Sequence, residues 1–454
     1  MKTNNNLLLK TDSYKISHYK QYPEGTEHIY SYIAPRSGNI GIPVLGIHDF
    51  CDMLDVGQLS GYNIAELEAI ATEHGVPFNQ EWWDLLNEYH GEGFPVRILG
   101  VPEGTVVEPK KPVAIIVNTD PKYPWLTSFF ETLFLRMVWY PSTVAANSRS
   151  CKLRIKEFML RTGADMSTLD FKLHDFGGRG VTADSQAARG GAGHLTQFQG
   201  TDTLEAVKYI KDNYGLKMAG YSIPATEHST VTSWGRDCEE EMYETFIRRN
   251  LGDSKVASCV SDSYNIWDAI KTWKKLEPIL LEVGGTLVIR PDSGDPIQTP
   301  VKVIEECLQE FGYTTNEKGF KVLPDHIRVI QGDGIDEDKM VRIMQILVDK
   351  HISIDNIAFG MGGGLLQKVD RDTFGWAMKC SAARVNGVWR DVYKDPIGGG
   401  KTSLKGLVVP SGVVPYDNSE LIFQGLPEGL MEYYNNGVCA ERPKWELVRH
   451  RSSI

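Results

Sequence analysis

The sequence predicts an α/β protein whose larger part is an irregular (β/α) barrel. Three observations carry this. From about residue 170, short apolar runs alternate with helical patterns, as parallel βαβ units require. Each apolar run ends in a cluster of Gly, Asp, Ser or His. Seven of these loops carry residues able to do chemistry. An open doubly wound sheet would bring fewer of them together at its strand ends, whereas a barrel gathers every strand end on one face.

Taken in order, residues 1–150 are mixed. The stretch 95–118 (PVRILGVPEGTVVEPKKPVAIIVN) alternates β-rich runs with Pro/Gly turns, which predicts strands and turns. Residues 125–139 (WLTSFFETLFLRMVW) are apolar nearly all round and predict a buried helix. The repeating units then begin with LHDFGGRG (173–180) and HLTQFQGTDTLEAVKYIKDNY (194–214). Thr201 or Asp202 suits the cap of the second unit's helix, with Glu205 near the N3 position. GYSIPATEHSTVTSWG (220–235), VASCVSDSYNIWDAIKTW (256–273), TLVIRPDSGDP (286–296), IRVIQGDGID (327–336) and NIAFGMGGGLLQK (356–368) complete the set. Gly398–Gly400 reads as a loop tip, since three glycines restrain the backbone little.

Composition narrows the function classes. The chain has 454 residues, enough for roughly two to four domain-sized units and for a large core without disulfides or metals. Its net charge of −11 gives no help to nucleic-acid binding, which depends on neutralising phosphates. A local basic pocket for a small anion remains compatible with that charge. The seven cysteines are irregularly spaced and form no C-x-x-C pair, so neither a disulfide framework nor a zinc site is expected. The N-terminal apolar run, Leu7 to Leu9, is too short for a signal peptide, and no stretch reaches the length of a membrane span. A soluble cytoplasmic protein is the expectation.

The candidate chemistry sits in the loops. Arg290 and Asp292 follow a strand two residues apart; the couple suits a polar, hydroxyl-bearing substrate, and equally suits a surface ion pair. Gly332, Asp333 and Gly334 combine close backbone approach with a carboxylate for ribose hydroxyls, although Asp-Gly is also a common turn. Gly360 and Gly362–Gly364 lie between a strand and a predicted helix, where exposed N–H groups bind phosphate. The run matches neither the Walker nor the Rossmann pattern. Arg371 and Lys379 follow it and would add charge-assisted contacts. HDFGGRG offers Asp175, Phe176 and Arg179, an aromatic face beside a guanidinium. Glu227 and His228 share a Ser/Thr-rich loop that suits an acid/base or nucleophilic histidine. Asp262, at the next strand end, would orient that imidazole.

Read together, TDSYKISHYKQYP, KLHDFGGRG, GTDT, PATEHST, SDSY, IRPDSG, VIQGDG and AFGMGGGLLQK, in this order, closely resemble the nicotinamide phosphoribosyltransferase family. The similarity runs from about residue 8 to about residue 395. It implies a type II phosphoribosyltransferase fold: an irregular α/β barrel (151–395) with a second α+β domain built from both chain ends (1–150 and 396–454). It also implies a homodimer with active sites at the interface. Phe176 and Tyr14 would sandwich the pyridine ring, Tyr14 coming from the partner subunit, with Arg179 and Arg290 lining the pocket. Asp202 would accept from the carboxamide N–H and repel the carboxylate of nicotinate. Asp292 and Asp333 would hold ribose hydroxyls, directly or through Mg²⁺. Gly332, Gly362 and Gly363 would contact ribose or phosphate through the backbone, and Arg36, Arg371 and Lys379 would bind the phosphate chain. His228 would be phosphorylated by the co-substrate ATP, supported by Asp262 and Glu227. Two positions depart from the family: Gly178 stands in place of a bulkier aromatic, and Ala377 in place of a phosphate-contacting serine.

The expected activity is therefore transfer of phosphoribosyl from phosphoribosyl pyrophosphate to nicotinamide in NAD salvage. The alternatives are a nicotinate phosphoribosyltransferase, a non-catalytic nucleotide-binding relative, and another phosphate-binding barrel enzyme such as an isomerase or aldolase. The last finds no lysine convincingly placed at a strand end for Schiff-base chemistry.

Overall fold

The computed structural model describes residues 6–54, 58–397 and 403–454; the expected loop tip at Gly398–Gly400 lies outside them. The chain forms two compact units, Met1–Ala146 with Asp370–Ser452, and Asn147–Val369. The second boundary falls well before the residue 395 drawn from sequence. Its cause is the strand Ala377–Val385, which pairs antiparallel with Thr26–Ala34 over most of its length.

The first unit is built on a seven-stranded antiparallel sheet. The strand order is Val388–Asp391, Ala377–Val385, Thr26–Ala34, Ala114–Asn118, Val96–Gly100, Met431–Asn435 and Val438–Cys439. Three strands from the N-terminal part thus form the middle of the sheet, and two from the C-terminal part flank them on each side. The strand Thr26–Ala34 is central and buried along seven consecutive residues, which its Tyr- and Ile-rich run permits. The predicted buried helix is present but longer. A short helix, Leu126–Phe129, leads into Glu131–Thr162, which continues through Pro141. A proline leaves the carbonyl four residues earlier without its helical donor. That carbonyl, of Met137, faces Gly46, where any Cβ would come within 2.1 Å of it. The glycine, at φ +88°, therefore lets the backbone close over the freed oxygen.

The second unit is the barrel. Six parallel strands lie in the order Gly200–Thr201, Leu173–Asp175, Ile357–Met361, Ile327–Gln331, Thr286–Arg290 and Val256–Val260. Helices such as Ile266–Lys275, Gln298–Phe311 and Glu337–Asp349 connect them, as parallel neighbours require. The two edges are joined by residues 221–226. At one end Tyr221 exchanges hydrogen bonds with the Gly200 edge (Thr201 N to Tyr221 O, 3.0 Å; Tyr221 N to Gln199 O, 2.7 Å). At the other, Thr226 N donates to Ser258 O at 3.0 Å and Ser258 N to Pro224 O at 2.8 Å. Single bridges in place of a full ladder make the barrel irregular, as the sequence predicts.

Strand alternation sets what faces where. Asp175 and Thr201 point to the helical layer, where the Asp175 carboxylate accepts from the Thr201 hydroxyl (3.3 Å) and from Gly177 N (2.7 Å). A Cβ on Gly191 of the helix Asp184–Leu195 would lie 3.2 Å from that carboxylate. His174, Phe176 and Asp202 have the opposite parity and face the barrel interior. The same helix carries His194, fully buried between Ser148 Oγ (3.1 Å) and Gly200 O (3.2 Å). Burial pulls its imidazole down to about 3.

The unfolded chain therefore protonates His194 near its ordinary 6.5, while the folded chain resists until about 3. Stability is lost as pH falls through that window, by about 1.4 kcal/mol per pH unit for such a group. Urea unfolding should accordingly show a lower midpoint at pH 5 than at pH 7. A His194→Asn variant should show a smaller difference between the two pH values; an equal difference would remove His194 as the cause.

Candidate active site

In parallel strands all carboxyl ends point the same way, so residues just past them share one rim. Nearly every sequence-predicted residue of the second unit stands there. Phe176 follows Leu173–Asp175, Asp202 follows Gly200–Thr201, and Asp262 comes two residues after Val256–Val260. Arg290 ends its strand and Asp292 follows; Gly332 and Asp333 follow Ile327–Gln331; Gly362 and Gly363 follow Ile357–Met361. Glu227 and His228 come directly after the closing segment 221–226. Arg179 lies slightly farther on, exposed in the turn Gly178–Gly180.

One side of the rim is shaped for a flat ring. The Phe176 ring lies over the backbone of two neighbouring strand ends. A Cβ on Gly360 would come within 2.0 Å of the ring and one on Gly332 within 3.0 Å. Phe176 N donates to Met361 O at 3.0 Å, which fixes the turn beneath it. Beside the ring, His174 Nε2 lies 2.9 Å from Asp202 Oδ1, and Ser222 Oγ donates to the same oxygen at 2.5 Å. Burial raises the affinity of Asp202 for a proton, but the bonds from His174 and Ser222, with the charges of His174 and Arg290, outweigh it. Its carboxyl is held below the usual range.

The other side concentrates charge around a histidine. His228 opens the helix His228–Thr232, with Glu227 as its N-cap in a reciprocal capping box with Thr230. Glu227 thus fixes where the imidazole starts. His228 Nδ1 lies 3.1 Å from Ser263 Oγ, and Nε2 lies 3.5 Å from Asp292 Oδ2 and 3.7 Å from Asp262 Oδ1. Asp262 is nearly buried and accepts from Asp292 N (2.8 Å) and Ser293 Oγ (2.5 Å) through Oδ2. Its Oδ1 has no hydrogen-bond partner among the described residues. Arg290 donates from Nη2 to Thr226 O at 2.9 Å and sits 4.0 Å from Asp292, leaving guanidinium donors for a ligand.

The glycine run behaves differently from its sequence reading. The helix after it, Gly363–Leu366, is a single turn, so it contributes free N–H groups but little of the dipole a long helix would add. The buried lysine of the barrel is not placed for Schiff-base chemistry at the rim. Lys172 is fully buried, and burial pulls it down to about 8. It precedes its strand, however, at the end of the barrel away from the rim, where it donates to the carbonyls of Ile354 and Ile357.

Tyr14, Arg36, Arg371 and Lys379 belong to the first unit. Tyr14 is exposed on the 3₁₀ helix Ser13–Lys20, with Lys15 Nζ 5.1 Å from its ring centre. Arg36 Nε donates to Gly375 O and Arg371 Nη1 to Trp376 O, each at 2.7 Å. Burial lowers the Lys379 ammonium; Glu131 opposes this, while Arg36, Lys394 and Lys15 add to it. These cations share a neighbourhood, which suits a polyanion.

A sequence profile described as the nicotinate phosphoribosyltransferase (NAPRTase) family matches residues 171–422, and one described as the nicotinamide phosphoribosyltransferase N-terminal domain matches residues 6–98. A nicotinamide phosphoribosyltransferase of Xanthomonas campestris pv. campestris (strain 8004) is 45% identical over 410 residues, 88% of this chain and 86% of its own. One from Acinetobacter baylyi is 33% identical over 448 residues, 89% of this chain and 88% of its own. The chain belongs to the nicotinamide phosphoribosyltransferase family. Two crystal structures share the fold. Nicotinate-nucleotide pyrophosphorylase from Pyrococcus furiosus matches with a TM-score of 0.60 and 15% identity, over 100% of this chain and 95% of its own. Human nicotinic acid phosphoribosyltransferase matches with a TM-score of 0.55 and 16% identity, over 97% and 92%.

Within this nicotinamide phosphoribosyltransferase fold, the two sequence departures sit in defined surroundings. A Cβ on Gly178 would stand 3.1 Å from Thr203 Oγ1, so with any larger residue the threonine must give by a few tenths of an ångström. Ala377 is buried and paired with Ala34. Sequence reasoning missed His174, Ser222, Ser263, Ser293 and the floor role of Gly360. His174 was within reach, since it has the same strand parity as Phe176. The serines come from loops whose approach only the closed barrel creates.

Gly360→Ala should drive the Phe176 ring from its seat and cost about 1–3 kcal/mol, as overpacking does. In a Phe176→Ala background the same substitution should cost much less in urea unfolding. An equal loss in both backgrounds would place the strain elsewhere.

Proposed function

We propose that this chain, as a nicotinamide phosphoribosyltransferase, joins nicotinamide to phosphoribosyl pyrophosphate, giving nicotinamide mononucleotide and pyrophosphate in NAD salvage. The observation that carries the reading is one barrel rim holding both a glycine-floored aromatic beside an ionised Asp202 and a histidine flanked by Asp262 and Asp292.

In this reading Phe176 supports one face of the pyridine, and Tyr14 of a second subunit covers the other in a homodimer. Asp202 accepts from the carboxamide N–H. The same carboxylate repels nicotinate, which disfavours the nicotinate-using alternative. Arg179 and Arg290 line the pocket. Stacking holds the ring nitrogen over C1 of the ribose, a proximity effect. The C1–O bond breaks with its electron pair leaving on pyrophosphate, and the nitrogen lone pair forms the new bond to C1. Arg36, Arg371 and Lys379 bind the phosphate chain, with backbone contacts from Gly332, Gly362 and Gly363.

Asp292 is one-third exposed and Asp333 is exposed. Two such carboxylates suit Mg²⁺, which keeps waters and phosphate oxygens among its ligands and takes one or two carboxylates from protein. When bound, Mg²⁺ would neutralise charge on the departing pyrophosphate. His228 is the acceptor of the ATP γ-phosphoryl group. Asp262 and Asp292 favour a proton on Nε2, which leaves Nδ1 with the lone pair. Glu227 holds the residue at its helix start.

Incubation with nicotinamide, phosphoribosyl pyrophosphate and Mg²⁺ should yield the mononucleotide, with nicotinate used poorly. A well-folded sample that makes none would return the chain to a non-catalytic role. Asp202→Asn should lower the nicotinamide-to-nicotinate ratio of kcat/KM by about tenfold or more, the scale of one charged hydrogen bond. His228→Ala should keep weak transferase activity and lose its stimulation by ATP; intact stimulation would exclude the phosphohistidine.

A further inference from the structure

Strand register places His174 against the specificity carboxylate. His174 and Gly200 are direct partners on neighbouring parallel strands. Because strand side chains alternate, Asp202 lies on the same face as Gly200, two residues farther along. The imidazole lies across the glycine: a Cβ on Gly200 would stand 2.7 Å from His174 Nδ1. The ring reaches diagonally to Asp202 with Nε2, at 2.9 Å. On its other side it meets the Phe176 ring, with centroids 5.0 Å apart. The imidazole is therefore wedged between backbone, aromatic ring and carboxylate.

The pattern of bonds at Asp202 is informative. His174 and Ser222 both converge on Oδ1. Oδ2 has no hydrogen-bond partner among the described residues, and the side chain is about half exposed, at 49%. A carboxylate anchored through one oxygen presents the other in a fixed direction. A bond from His174 to Oδ1 requires the proton on Nε2, since a carboxylate only accepts.

We propose that His174 is a specificity-positioning residue. It locks the Asp202 carboxylate so that Oδ2 is offered to the substrate amide, and selection of amide over acid belongs to the His174–Asp202–Ser222 group rather than to Asp202 alone. This rests on the reading of Asp202 as the carboxamide acceptor. His174 itself touches neither substrate nor reacting atoms in this role. Freed from it, Asp202 would sample other rotamers, and the ordering cost would fall on substrate binding.

The test compares kcat and KM for nicotinamide and nicotinate in folded variants, checked by thermal melting. His174→Leu, of similar bulk without a donor, should lower the nicotinamide-to-nicotinate ratio of kcat/KM about tenfold, mainly by raising KM for nicotinamide. His174→Gln, which keeps an N–H donor, should recover most of the ratio. Gly200→Ala, which pushes the ring aside without removing it, should reproduce the His174→Leu effect. In an Asp202→Asn background, His174→Leu should leave the ratio where Asp202→Asn alone puts it. If Asp202→Asn shifts the ratio while His174→Leu only lowers kcat equally for both substrates, the positioning role is refuted and the Asp202 reading stands. If neither substitution shifts the ratio, both fall. Additive effects in the double variant would also refute the shared group.

Discussion

Closure of the parallel sheet by residues 221–226 is the constraint on which the site depends. The segment bonds to Gly200's edge through Tyr221 and to Ser258's edge through Thr226. While doing so it delivers Ser222 to Asp202 and the Thr226 carbonyl to Arg290, and it launches the helix that begins at His228. Thr226 Oγ1 also accepts from Val260 N at 2.9 Å, tying the segment to the strand that leads to Asp262. Without these few hydrogen bonds the two edges would separate, and the aromatic and histidine sides of the rim would part with them.

The rim itself divides the work by charge. Phe176 over Gly332 and Gly360 provides an apolar slot with a carboxylate at its side. His228 lies instead between the Ser263 hydroxyl and two aspartates. Arg290 serves both: it lies near Asp292 and its charge is felt at Asp202. A single guanidinium so placed balances carboxylates on both sides of the rim. A shielded cleft strengthens each of these interactions relative to water. The overall acidity of the chain does not prevent local positive regions: Arg36, Lys394 and Lys15 gather around Lys379 in the first unit.

Much of the architecture was legible in the sequence. Alternating apolar runs and helices gave the parallel barrel, and the polar clusters at the run ends gave the rim, because both follow from local periodicity. Pattern failed where distant chain met distant chain. Ala377–Val385 falls inside the 151–395 span drawn for the barrel, yet it completes the antiparallel sheet beside Thr26–Ala34. The helix expected over 125–139 runs on through Pro141, where Gly46 accommodates the carbonyl the proline frees. The GMGGG run reads as the start of a helix, and the helix lasts one turn.

The sequence by itself determined which residue types stand at the strand ends, and hence that Phe176, Asp202, Asp262, Arg290 and Asp292 lie on one side of a parallel sheet; the closing segment 221–226 brings His228 to them. Only the tertiary structure decided how they pair. That His174 and Ser222 meet at one oxygen of Asp202, and that Phe176 lies on Gly360, depends on inter-strand register and on the approach of a closing segment from a different loop. Periodicity fixes which side of a strand a residue faces; it carries no information about which neighbour lies across from it.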